Sequence, residues 1–546
     1  MSPLLSLVIL VLFPRVRSTA SVAPTVVLDN GTFTGTASTS DTQSFFGIPF
    51  AQPPTGDLRL RLPVTVSPYN GTHNVTAMGP ACPQQKVTVP ILTGVVDTIV
   101  SELFEDFYSA EFPDAEDCLT LNIIKPATAT PTSELPVVLW LFAGGFEFGT
   151  PARYDGVPIV QRSIAMGKPI IYVSINYRLA AFGFLGGKEV REAGIGNLGL
   201  QDQREALRWL QRYIPAFGGD PTKVTIWGES AGAISVSLQM LANGGDTEGL
   251  FRGAYMQSGS PVPVGPIENG QKYHDDLVEQ AGCAGASDTL ACLRTVPYDQ
   301  LKAAQDASPF FLSYQSLVLA WLPREDGLFL TDNPQRLVQQ GKVANVPFIT
   351  GDCDDEGTVF SLSTLNVTTD EDFSEYIATV WAPTAPASTV AALTVSYSSD
   401  VAEGSPFGTG ILNALSPQFK RLASFQGDAV FQGPRRFFQQ SLSGKQNQWA
   451  YLNKRFKATP FVGSFHTSDI QNVYKDGELT DYLINFVTDL DPNGDTVPAW
   501  PRYTTEDPNL MTLYDLPGLP ATNITSDTFR AGAISVLTEI SLEFPI

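Results

Sequence analysis

The sequence predicts an α/β fold, a large and mostly parallel central sheet flanked by helices. Two observations carry that expectation. Three short runs rich in β-branched and aromatic residues, Pro136 to Phe142, Pro169 to Ile175 and Lys223 to Trp227, read as buried strands. Between and after them, Gln201 to Ile214 and Ala231 to Asn243 read as helices. Strand, helix and strand in alternation imply parallel pairing with helices on both faces. In such a sheet, reactive groups are expected in loops leaving the carboxyl ends of strands.

The chain has 546 residues, 43% of them hydrophobic, and no self-similar period or low-complexity block divides it. A single catalytic domain over 21–546 is expected, preceded by a secretory signal over 1–20. Pro3 to Phe13 has the length of a signal h-region, is too short to span a bilayer, and is followed by the small residues Ser18, Thr19 and Ala20. Five Asn-x-Ser/Thr sequons, at Asn30, Asn70, Asn74, Asn366 and Asn523, agree with export and are candidate glycosylation sites. The five cysteines allow at most two bridges within one chain. A net charge of −22 without a basic cluster repels a phosphate backbone, so nucleic acid is excluded as a partner. The expected location is extracellular, with no transmembrane anchor.

Gly228-Glu229-Ser230-Ala231-Gly232 lies between the strand ending at Trp227 and the helix starting near Ala231. A tight strand-to-helix turn of this kind needs small flanking residues and holds a serine hydroxyl out of the sheet, near a helix N-terminus that favours negative charge. Ser230 is therefore the candidate nucleophile. A serine hydroxyl needs a base, and the chain has three histidines. His73, between two sequons, reads as a solvated loop residue, and His274 as part of a polar helix face. His466 follows the strand-like Trp449 to Asn453 and has the position that the chemistry requires.

In α/β-hydrolases the triad runs serine, acid, histidine along the chain, so the acid lies between Ser230 and His466. The strand-like Val346 to Thr350 runs into Gly351-Asp352-Cys353-Asp354-Asp355-Glu356-Gly357-Thr358, with four carboxylates. Four acids on one loop are ordinarily a solvated cluster or a weak cation site, and spacing does not choose among them. An oxyanion hole needs backbone N–H groups, one from the residue after the nucleophile, Ala231, and others from an early glycine-rich loop. Ala143-Gly144-Gly145-Phe146, at the end of the strand Pro136 to Phe142, is the candidate.

Together these stretches resemble the type-B carboxylesterase/lipase family, most closely its secreted fungal lipases and sterol esterases. The resemblance also runs through Phe46-Gly47-Ile48-Pro49-Phe50-Ala51, Glu116-Asp117-Cys118-Leu119-Thr120-Leu121-Asn122, Asn176-Tyr177-Arg178-Leu179, Phe217-Gly218-Gly219-Asp220-Pro221 and Met256-Gln257-Ser258-Gly259-Ser260. It implies the α/β-hydrolase fold and a serine ester hydrolase that uses no cofactor and no metal. The family's Asp-Glu-Gly-Thr stretch matches Asp355 to Thr358, so the implied acid is Glu356, and the implied oxyanion donors are Gly144, Gly145 and Ala231. The chain departs from the family at Ala143, where a third glycine is usual; a Cβ there would cost about 1 to 2 kcal/mol if φ were positive. The resemblance further implies the pairs Cys82 with Cys118 and Cys283 with Cys292, leaving Cys353 free. Closing the first loop would stabilise the fold by roughly 3 to 4 kcal/mol on the chain-entropy view.

Between Cys82 and Cys118, large apolar residues from Ile91 to Tyr108 recur at helical spacing opposite Asp97, Glu102 and Glu105. Such a stripe is ordinarily a core-facing helix; in the lipase relatives this disulfide loop is a movable lid. No tryptophan occurs between Cys82 and Cys118 to hold a quaternary ammonium, which disfavours choline esters. The expected substrate is an apolar ester, a long-chain acyl or sterol ester met at a lipid–water interface. Smaller aromatic esters such as feruloyl esters are the alternative. A non-catalytic binding or adhesion module of the same fold is a reading of another class, and retention of Ser230, Glu356 and His466 argues against it.

Overall fold

The computed structural model describes residues 23–87, 112–475 and 477–546. The expected signal and the expected lid, Ile91 to Tyr108, lie outside the described residues. In chain order the strands are β1 (Thr25–Leu28), β2 (Asn30–Thr34), β3 (Thr36–Ala37), β4 (Thr42–Pro49), β5 (Asn70–Asn74), β6 (Thr120–Pro126) and β7 (Leu135–Leu141). They continue as β8 (Ile171–Ile175), β9 (Gly219–Glu229), β10 (Gly253–Gln257), β11 (Phe348–Cys353), β12 (Gln448–Asn453), β13 (Asn509–Leu513) and β14 (Thr522–Ser526).

Eleven strands form one sheet, in the order β14-β13-β12-β11-β10-β9-β7-β8-β6-β4-β3. Neighbours from β8 through β13 are parallel, and the flanks are antiparallel. The parallel centre follows from composition: β7 and β8 are apolar across nearly their whole length, and β9 is buried from Val224 onward, because helices cover both of their faces. Trp140, Trp227 and Trp449 are fully buried there. The α/β-hydrolase expectation is met, and the expected strands and helices occur within a few residues of their predicted bounds, β9 being the longer by four residues at its start.

A second, three-stranded sheet packs β1, β2 and β5 together. His73 lies on β5, half-buried, with its ring stacked 4.4 Å from Phe33, so it is a packing residue on a strand and not a solvated loop residue. His274 is also not solvated. Its helix, Gln271–Gln280, turns it inward to 1% exposure, with Nδ1 3.3 Å from Asp275 and 3.7 Å from Glu189. Cys82–Cys118 and Cys283–Cys292 are disulfides and Cys353 is a buried free thiol, as the resemblance implied. Asn30, Asn70, Asn74, Asn366 and Asn523 are all exposed. Among the described residues no helix is long and apolar enough to cross a membrane.

Candidate active site

Strand β9 ends at Glu229 and the helix Ala231–Leu241 begins two residues later, so Ser230 alone makes the turn. Its backbone sits at φ 53°, ψ −123°, a conformation that costs an L-residue about 1 to 3 kcal/mol and persists only where the surroundings enforce it. They do so by close approach. A Cβ on Gly228 would lie 2.4 Å from the carbonyl carbon of Gly232, and one on Gly232 2.0 Å from the Leu141 carbonyl oxygen. The Ser230 N–H donates to the Gln257 carbonyl at 2.9 Å, tying the turn to β10.

The turn aims the Ser230 hydroxyl at His466, whose Nε2 is 2.8 Å from Oγ. His466 is carried by the loop after β12, and its ring packs against Phe431 and Phe360, with centroids 4.6 and 5.1 Å away. Its Nδ1 is 2.5 Å from Glu356 Oε2, and Glu356 Oε1 accepts the Cys353 N–H at 2.6 Å. Both carboxylate oxygens are thus engaged, one by the imidazole and one by the end of β11.

The four acids of the 352–356 stretch are not a solvated cluster; all are buried and all are partnered. Asp352 accepts from Arg435 Nε at 2.7 Å, and Lys457 Nζ lies 2.5 and 2.6 Å from Asp354 and Asp355. Asp355 also stitches the acid loop to the histidine loop. Its N–H donates to the Ser464 carbonyl at 3.0 Å, and its Oδ2 accepts the Ser464 N–H at 2.8 Å. Only Glu356 reaches His466.

Gly144 and Gly145 have φ of 122° and 61°, whereas Ala143 is outside the positive-φ region, so its Cβ brings none of the strain a left-handed alanine would carry. A Cβ on Gly144 would fall 1.9 Å from the Phe148 carbonyl oxygen, which explains the glycine there. The Ala231 N–H, in the first turn of its helix, has no intrahelical acceptor. Gly144, Gly145 and Ala231 line, with Ser230 and His466, a cavity of about 700 Å³. Its other walls are largely apolar, among them Phe148, Phe311, Leu319, Phe360 and Phe431.

Sequence reasoning passed over Glu229, the variable position of the Gly-x-Ser-x-Gly stretch. It is fully buried, and neither carboxylate oxygen has a hydrogen-bond partner among the described residues. Oε1 is 3.6 Å from His466 Nε2. Burial, with the negative charges of Asp469 and Glu356, pushes its carboxyl well above the ordinary range and so favours its neutral form. Nothing in the local pattern marks it, since its environment is built by β10 and the loop after β12.

The sequence profile of the carboxylesterase family matches residues 22–524. The chain belongs to the carboxylesterase family. It is accordingly a carboxylic ester hydrolase. This esterase is 43% identical to Lipase 4 of Diutina rugosa over 89% of its own length and 90% of the relative. It is 43% identical to Secreted lipase 1 of Botryotinia fuckeliana, covering 94% and 92% of the two chains, and 42% identical to Secreted triacylglycerol lipase LIP1 of Gibberella zeae, covering 88% and 84%. Among solved structures, EstA of Aspergillus niger superposes with a TM-score of 0.80 at 27% identity, covering 96% of this esterase and 99% of EstA.

Proposed function

We propose that this esterase is a secreted lipase that cleaves long-chain or sterol esters through an acyl-enzyme on Ser230. The observation that carries the reading is a serine hydroxyl 2.8 Å from an imidazole nitrogen, at the wall of a large apolar cavity. His466 Nε2 takes the Ser230 proton as Oγ attacks the ester carbonyl. Glu356, held by the Cys353 N–H, keeps the Nδ1 proton on the imidazole and stabilises the imidazolium that forms. The N–H groups of Gly144, Gly145 and Ala231 receive the oxyanion. His466 then returns the proton to the leaving alcohol, and a water activated by the same nitrogen releases the acid.

The substrate class rests on the cavity. A volume of about 700 Å³ lies within the range for organic ligands, and its aromatic and aliphatic walls offer an acyl chain burial worth about 0.8 kcal/mol per methylene. Export rests on the apolar run before Ala20 and on relatives whose names include secretion, with residues 21–546 as one catalytic domain and the five exposed sequons as glycosylation sites. A panel of p-nitrophenyl esters from acetate to stearate, with cholesteryl oleate and methyl ferulate, tests the reading. Long acyl or sterol esters are expected to give the highest kcat/KM, with all turnover lost in Ser230→Ala. Turnover confined to methyl ferulate would overturn the substrate class.

A further inference from the structure

A second, smaller apolar cavity of about 20 Å³ lies behind the wall of the large one, lined by Trp381, Leu393, Phe425 and Leu537 among others. Neighbouring residues of the chain line the two cavities. Val262 faces the large cavity and Pro263 the small one; Val430 faces the large cavity and Ala429 the small one. Among the described residues Ile546 alone lines both.

The backbone around Ile546 is anchored independently of its side chain. Its N–H donates to the Pro263 carbonyl at 2.9 Å, and its carbonyl oxygen accepts from the Gly265 N–H at 2.7 Å and from Arg324 Nη1 at 2.8 Å. The sec-butyl side chain therefore stands in the partition by virtue of a fixed main chain. Removing it changes the wall without removing a hydrogen bond.

We infer that Ile546 is a specificity-determining residue of the ester site, a plug that separates the acyl chamber from an apolar extension and so sets how long an acyl chain is accommodated. The inference rests on the ester-hydrolase reading above. With alanine in its place, three side-chain carbons leave the partition and the two cavities join. Two or three further methylenes then find apolar walls, among them Trp381 and Leu537. Each methylene newly taken from water raises kcat/KM about fourfold, the equivalent of about 0.8 kcal/mol. A bulkier side chain acts in the opposite direction, because it fills the acyl side of the wall.

The test is the kcat/KM profile of p-nitrophenyl esters from C4 to C18 for the wild type, Ile546→Ala, Ile546→Phe and the milder Ile546→Val. The expected result is opposite movement. The ratio of the longest ester to the C8 ester rises about 15- to 60-fold in Ile546→Ala, rises less in Ile546→Val, and falls in Ile546→Phe. Profiles that superpose on the wild type, or that move the same way for alanine and phenylalanine, overturn the inference. Labelling rates of Ser230 by short and long alkyl phosphonates repeat the comparison without turnover, so a variant with a slowed chemical step still reports. Wild-type hydrolysis of the C4 ester that disappears in Ser230→Ala keeps the underlying ester-hydrolase reading standing even if the Ile546 profiles do not move.

Discussion

Replacing Glu356 with glutamine is a nearly isosteric change whose consequence the geometry dictates. One carboxylate oxygen accepts the Cys353 N–H at 2.6 Å, and the other lies 2.5 Å from His466 Nδ1. A glutamine has one oxygen, and the Cys353 N–H can only donate, so the amide oxygen must stay at that end. The NH₂ is then forced onto Nδ1. An imidazole that accepts at Nδ1 carries its proton on Nε2, 2.8 Å from Ser230 Oγ, and cannot take the serine proton. The wrong tautomer in a triad costs about 10⁴ in kcat, about 5.5 kcal/mol at the transition state. The assay is kcat on a soluble butyrate ester with each variant confirmed folded by its melting curve. A loss of three to four orders of magnitude is expected for Glu356→Gln. Asp354→Asn, whose side chain pairs with Lys454 and Lys457, should melt earlier and keep kcat within about tenfold. A glutamine variant that retained more than a tenth of the activity would refute the tautomer argument, and a larger loss in Asp354→Asn would move the acid.

Ser230→Ala and His466→Ala should each remove nearly all ester hydrolysis, and the double variant should be little worse than either, since a nucleophile and its base act as one unit; additive losses would show two independent roles. Unfolding without reductant should expose one titratable thiol, Cys353, which is inert in the native protein because burial first, then the charges of Asp469 and Glu356, push it up. Glu229→Gln supplies a neutral isostere where burial already favours the uncharged form, and should keep activity within about tenfold at neutral pH. Its stability should also gain on the wild type as pH rises. Above the ordinary glutamate value, about 4.3, the unfolded chain has released a proton that folded Glu229 still holds, so wild-type stability falls by up to about 1.4 kcal/mol per pH unit until the raised folded value is passed. Parallel pH–stability curves for the two proteins would contradict a neutral Glu229.

In the parallel block β7, β8, β9, β11 and β12 were legible, β7 and β8 most plainly because burial on both faces makes each a nearly unbroken apolar run, whereas β10 and β13 were not read. Ser230 was legible because strand, glycine-flanked serine and helix are contiguous, and the glycines at 228 and 232 are demanded by close approach. His466 was found by its place after β12, although the solvated readings of His73 and His274 were both wrong. Each meets a partner distant in sequence, Phe33 stacking on half-buried His73 and Glu189 lying beside buried His274. The acid was not legible from spacing. Asp352, Asp354, Asp355 and Glu356 differ in their partners Arg435, Lys457, Ser464 and His466, all a hundred or so residues away and without a periodic signal; the family resemblance was needed to choose. Glu229 and the Ile546 partition were invisible for the same reason, since strands and loops far apart along the chain assemble their surroundings.

The central claim is that His466 activates Ser230 for attack on an ester carbonyl, and covalent labelling with a fluorophosphonate reads that activation directly. Intact mass after brief exposure of the native protein should show one adduct, and the labelled peptide should contain Ser230. The adduct should be absent from Ser230→Ala, and its formation should slow by orders of magnitude in His466→Ala. An unlabelled wild type, or an adduct that persists on another residue when Ser230 is replaced, would contradict the account.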